Sequence, residues 1–157
     1  MLILFVKFIH LMSLVVWIGS IIFFSFFGAP SIFKVLEREL AGNLVGNIFP
    51  KYWMIGYICS TVAIGSLLLL WKMGTSSAIV RTILLSIMMI ITFYTGLRIG
   101  PMVREAKTQM RATEDVEKKE ELRQRFLKIH RRSSEMNVTI LILGIVTIFM
   151  TAYHLRI

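Results

Sequence analysis

Apolar residues fall into four long runs, from about Leu2 to Phe27, Tyr52 to Trp71, Ile79 to Gly100 and Met136 to Tyr153. Each is close to or beyond the roughly 20 residues that carry a helix across the hydrocarbon core of a bilayer. The first run is interrupted only by Lys7, His10 and a few serines, and it closes on Phe27-Gly28-Ala29-Pro30 with no small-x-small cleavage pattern. A retained span is therefore expected rather than a signal peptide. Lys72 and Gly74 end the second run before a very short turn. Between the third and fourth runs, Val116, Leu122, Phe126, Leu127 and Ile129 recur at helical spacing. Glu114 with Lys118, Asp115 with Lys119 and Glu121 with Arg125 are acid-before-base pairs four apart, which also favours helix. Thr113 is the expected N-cap, and from Phe126 to Tyr153 only Gly144 could interrupt a helix running into the fourth span. The third span is expected to continue past Pro101 through Met102, Ala106 and Met110, giving an antiparallel hairpin over about 102–132. Pro30-Ser31 opens a short amphipathic stretch suited to the interface plane, and Phe49-Pro50 is expected to turn the chain into the second span. The fold expected is all-α: one transmembrane four-helix bundle over 1–157, with helical extensions of the third and fourth helices.

Composition agrees. Of 157 residues, 56% are hydrophobic and 17% charged, with mean hydropathy +0.73, which excludes a soluble domain. The net charge of +9 is unevenly placed. Lys34, Arg38 and Lys51 lie between the first two spans, and ten cations lie from Arg104 to Arg132, against Lys7, Lys72, Arg81 and Arg156 on the other side. Short basic loops stay in the cytoplasm, so both termini are expected outside the inner membrane. The positive charge then serves orientation and headgroup contact, and no aromatic-interleaved basic motif points to nucleic acid. The lone Cys59 offers neither a disulfide nor a cysteine metal cluster.

Ionisable groups inside spans are costly and mark candidate function. His10 is the most informative. Trp17, seven residues on, lies about 20° away around the helix, so the two share a face. Arg81 and Lys7 are expected to snorkel to the interface. Met12, Met88, Met89 and Met150 collect in the same half of the bundle as His10 and His154, whereas His130 lies about 36 Å along the fourth helix from His154. Thioethers with imidazoles suit Cu(I), with Met12, Met88 and His154 as companions to His10. Two imidazoles, or one and a thioether, suit haem b, with His10, His154 or Met150 as ligands and Trp17 beside them. A second polar cluster is expected where Arg104, His130, Ser134, Glu135 and Asn137 meet the cytoplasmic edge, with Arg98, Arg104 or Arg38 partnering Glu135 and Asn137. No nucleotide-binding glycine loop, GxSxG or HExxH motif is present.

The stretches FIHLMSLVVWIGSIIFFSFFGAPSIFKVL, AGNLVGNIFPKYW and RQRFLKIHRRSSEMNVTILILG closely resemble the uncharacterised four-helix family of transmembrane protein 205 type. The resemblance spans nearly the whole chain, through His10, Trp17, Gly19, Pro30, Gly42, Gly46, Pro50, Tyr52, Pro101, Arg104, Phe126, His130, Ser134 and Asn137. The eukaryotic namesake is associated with platinum-drug resistance, which implies soft-metal or export chemistry. More distantly, His10, Trp17 and Gly19 look like the first helix of copper-resistance protein D and of HemJ-type membrane proteins, which implies copper or haem handling at His10 and extends no further than Trp17. The leading expectation is a haem b or copper site around His10. The alternatives are a non-catalytic scaffold that docks a protein partner through its basic hairpin, and a small transporter working as a homo-oligomer.

Overall fold

The computed structural model describes residues 1–74 and 78–154, with His154 described by its backbone alone. Every described element is helical. Helix α1 (Leu2–Phe23) passes through a π turn at Phe24–Gly28 into α2 (Ala29–Val35), forming one 34-residue rod. The chain reverses at Leu36 and Glu37, both with ψ 147°, and α3 (Arg38–Lys72) returns. Gly74, at φ +80°, takes the left-handed backbone that closes this helix. Helix α4 (Ile79–Tyr94) passes through a second π turn at Thr95–Ile99 into α5 (Gly100–Ala112), and α6 (Val116–His154) completes the bundle.

Three expectations need correction. The chain does not turn at Phe49-Pro50: Pro50 lies inside α3. A proline ring crowds the carbonyl four residues earlier. Here that residue is Gly46, whose side-chain direction is open, while Phe49, Tyr52 and Trp53 pack as an aromatic cluster that holds the helix on both sides. The stretch after Pro30 is not a separate segment in the interface plane, because it continues α1. Pro30 and Pro101 each stand in the first turn after a π turn. The altered hydrogen-bond register of a π turn absorbs the missing proline donor without breaking the rod. The N-cap of α6 is Asp115, not Thr113: Asp115 Oδ1 accepts from the amides of Glu117 (2.9 Å) and Lys118 (3.3 Å). The continuation of α5 past Pro101 and the unbroken run of α6 into its span are as expected.

The four long helices are apolar enough to cross a membrane, and they pack in a ring in which α1 meets α3, α3 meets α4, α4 meets α6, and α6 meets α1. Leu14, Trp17, Ile18, Leu67, Leu85, Met88 and Ile140 fill the centre. The outward faces are also apolar: Phe5, Ile58, Ile90 (66% exposed) and Phe149 (71%) point away from the core. A surface of this kind belongs in lipid, and the protein is a multi-pass membrane protein in contact with the bilayer.

The two hairpins share one design. On the buried face of α1, which also carries Ser13 and Ile18, His10, Leu14, Trp17 and Ile21 correspond at one constant offset to Arg81, Leu85, Met88 and Thr92, the buried residues of α4. The same offset superimposes the two π turns and carries Pro30 onto Pro101. A second constant offset carries buried Gly56, Ser60, Ala63 and Leu67 of α3 onto Ile140, Gly144, Thr147 and Thr151 of α6. The ring of contacts agrees, since each pairing has its counterpart under the exchange. The bundle therefore has a pseudo-two-fold axis along its length, with α1 equivalent to α4 and α3 to α6.

Candidate functional site

His10 is 2% exposed and faces α3 from the third turn of α1. Its Nδ1 lies 3.0 Å from the Ala63 carbonyl oxygen and 3.1 Å from Ser66 Oγ. A carbonyl oxygen can only accept, so Nδ1 carries the proton. Ser66 Oγ donates to the Val62 carbonyl at 2.6 Å, which leaves its lone pairs towards the imidazole. Nε2 of the neutral ring then presents a lone pair, and this buried atom has no hydrogen-bond partner among the described residues. An imidazole pinned through one nitrogen, with the other left bare, is the arrangement that prepares a histidine for a ligand.

The level of His10 can be followed around the bundle. A side chain on Gly144 would run into Ile18 and approach Met88, so these three residues share one level. Eight residues up α1 from Ile18, about 12 Å at 1.5 Å per residue, stands His10. The same climb reaches Arg81 on α4 and the turn of Met150 and Thr151 on α6. Hydrogen bonding already places Ala63 and Ser66 there on α3. Arg81 is 6% exposed, so a buried guanidinium stands at this level. Thr151 is 2% exposed, and its Oγ1 has no partner among the described residues. All four helices thus contribute a polar group to one layer near the end of the bundle that carries Leu2 and Tyr153.

Some expected residues join this layer and others do not. Trp17 shares the buried face of His10, as its spacing required, but sits about 10 Å deeper. Met150 is half-buried at the His10 level. Met12 is 41% exposed and points to lipid, because two residues from His10 means about 200° around the helix. Met88 is fully buried at the deeper level, where its sulfur faces Thr147 Oγ1 at 4.0 Å. The expectation for His154 as a ligand rests on a side chain outside the described residues. Arg81 does not snorkel. It lies on the buried stripe with Leu85, Met88 and Thr92, a helical spacing visible in the sequence. Ser66 and the Ala63 carbonyl had no sequence signal. Among the described residues, no group of three or more His, Cys, Asp or Glu side chains could hold a metal ion.

The cluster expected at the other edge does not assemble. Glu135 pairs with Arg131 in its own helix at 3.0 Å, Ser134 Oγ donates to the His130 carbonyl, and the His130 ring stacks on Phe126. Arg104 is exposed. Asn137 finds its partner on α3, accepting from Tyr52 Oη at 3.2 Å, rather than from an arginine. Among the described residues, the ion pair seen in this part of α6 is Arg123 with Glu120 at 3.4 Å rather than one of the expected acid-before-base pairs.

Beyond the spans, Asn43 ties the two hairpins together. Its Oδ1 accepts from Lys107 Nζ at 2.9 Å and from Arg111 at 2.6 Å, while Arg111 also meets Glu39 at 3.1 Å. Burial, and then the neighbouring Arg111, hold the Lys107 ammonium below the usual lysine range, with Glu39 opposing.

Comparison with known proteins gives a family without an assigned activity. The chain is 50% identical over 48 residues to an "Uncharacterized protein" of Aquifex aeolicus (strain VF5), a match covering 31% of this chain and 35% of that relative. The matched stretch thus spans about a third of the relative's length. No solved structure matches. The family profile described as "Domain of unknown function (DUF4149)" matches residues 12–112, from α1 just past His10 to the end of α5. That is more than half of the chain, and the protein belongs to the DUF4149 family.

Proposed function

We propose that this protein is a membrane-embedded binding module whose ligand engages His10 through Nε2, with haem b favoured over copper. The observation that carries the reading is the pinned Nδ1 beside a bare, buried Nε2. Such a nitrogen can serve as an axial ligand to haem iron, and the bond to the Ala63 carbonyl would fix ring orientation and raise its basicity. The buried Arg81 at the same level favours haem in this reading: a guanidinium opposes a bare cation and complements the carboxylates of a haem. Copper(I) would also need soft companions, yet Met12 faces lipid and Met88 lies a level deeper. When bound, haem would supply one-electron chemistry, and this chain's part would be to hold the iron and neutralise the propionates. Because His10 is 2% exposed, the bundle must part for so large a guest, and α1 packs more sparingly on α6 than on α3.

With the basic hairpin in the cytoplasm, the layer lies in the outer half of the inner membrane. The resemblance to copper- and haem-handling membrane proteins at His10, Trp17 and Gly19 supports the same reading. The test is iron, haem and copper content per chain in protein purified after expression with haem precursor and copper supplied. Near one haem per chain in the wild type, lost in His10→Ala, is expected. Folded wild-type protein with neither haem nor copper would overturn the reading.

A further inference from the structure

A second polar site lies deeper on the pseudo-two-fold axis, at the level of Trp17 rather than His10. There the four helices enclose a cavity with room for a single water molecule, about 10 Å³ for the position of its centre. Its lining includes Trp17 from α1, Gly56 from α3, Thr92 from α4, Thr95 from the π turn that follows it, and Asn137 from α6. Gly56 makes the space. A Cβ there would stand 3.5 Å from Trp17 Nε1 and 2.8 Å from Thr92 Cγ2, so its absence leaves room beside the indole N–H.

That N–H has no acceptor from the protein. Trp17 is 2% exposed and lines the cavity, and its indole has no protein hydrogen-bond partner among the described residues. A buried indole N–H finds an acceptor wherever one can be placed, because leaving it bare forfeits the hydrogen bond that water would have given it. Acceptors stand around the same space. Thr92 and Thr95 spend their hydroxyl protons on the Met88 and Ile91 carbonyls, each at 2.8 Å, which leaves oxygen lone pairs free. Asn137 Oδ1 takes the Tyr52 proton and keeps a second lone pair.

We propose that this cavity is a water site. One resident water accepts from Trp17 Nε1–H and donates its two protons to two of the Thr92, Thr95 and Asn137 oxygens, bridging the two hairpins where they meet on the axis. Donors and acceptors both line the cavity and no charged group is among them, which suits a small neutral guest that can do both, and no ion. The site stands independently of any ligand at His10.

The test uses the full chain in detergent or nanodiscs, with the indole nitrogens labelled by nitrogen-15 and the Trp17 signal assigned by its loss in Trp17→Phe. A direct cross-relaxation peak between the Trp17 indole proton and water is expected. Gly56→Ala, which fills the space, is expected to abolish that peak. A well-dispersed spectrum in which Trp17 shows no water peak would overturn the proposal, as would a peak that survives Gly56→Ala unchanged. Should Gly56→Ala fail to fold, a map at atomic resolution of the wild type decides: a density peak within hydrogen-bond distance of Trp17 Nε1 is expected, and an empty cavity contradicts the site.

Discussion

His10 Nδ1 donates across the α1/α3 seam to the Ala63 carbonyl at 3.0 Å, and this bond sets the proton on one nitrogen and strips it from the other. On the proposed reading, the arrangement gives up a buried acceptor, Nε2, to gain an oriented ligand atom. In protein prepared without haem precursor or copper, His10→Leu should therefore remain within about 1 kcal/mol of the wild type in denaturant unfolding. It loses one net hydrogen bond, worth about 0.5–1.5 kcal/mol, and relieves the unpartnered Nε2. A loss of several kcal/mol would instead make His10 a structural tie.

The closest helix approach depends on missing side chains. A Cβ on Gly100 would enter the Trp53 indole, and one on Gly96 would enter the Tyr57 phenol, whereas Gly65 in α3 meets nothing within 4 Å. Gly100→Ala is expected to destabilise by about 1–3 kcal/mol through overpacking. Gly65→Ala should be neutral, or stabilise by up to about 1 kcal/mol through helix propensity. Thermal unfolding of the two variants beside the wild type checks both signs.

Tyr52 and Asn137 meet across the bundle at 3.2 Å. A double-mutant cycle of Tyr52→Phe and Asn137→Leu is expected to return a coupling of about 0.6 kcal/mol, the usual size for polar pairs between membrane helices. No measurable coupling would mean that Asn137 serves another partner.

The Asn43 tie gives a pH signature outside the membrane. Lys107 is held below its ordinary value of 10.5 in the folded protein, so the unfolded chain binds more protons as pH approaches that value. Stability should rise with pH through this window and the gain should stop near the ordinary lysine value. Lys107→Met should lack that component, read as the difference between the two proteins' unfolding curves. A difference that falls with rising pH would contradict the assignment. Asn43→Ala should speed amide exchange in α5 and leave the spans protected.

The number of helices, their lengths and the charged hairpin were legible because hydropathy and charge act over whole segments. The courses of Pro30 and Pro50 were not, since local proline signals were overridden by a π turn in one case and, in the other, by the open space at Gly46 together with the packing of Phe49, Tyr52 and Trp53. His10 and Trp17 sharing a face followed from spacing alone. Met12 misled because nearness in sequence is not nearness on a helix face. Arg81 misled because a cation near a helix end ordinarily reaches for solvent, and its burial depends on the layer that the other three helices build around it.

The central claim, that His10 Nε2 is a ligand atom, is tested most directly by absorption spectra of the purified protein, oxidised and dithionite-reduced, after expression with haem precursor and copper supplied. A b-type spectrum that disappears in His10→Ala and persists in Met12→Leu is predicted. A colourless wild type, or a haem spectrum unchanged by His10→Ala, would contradict it.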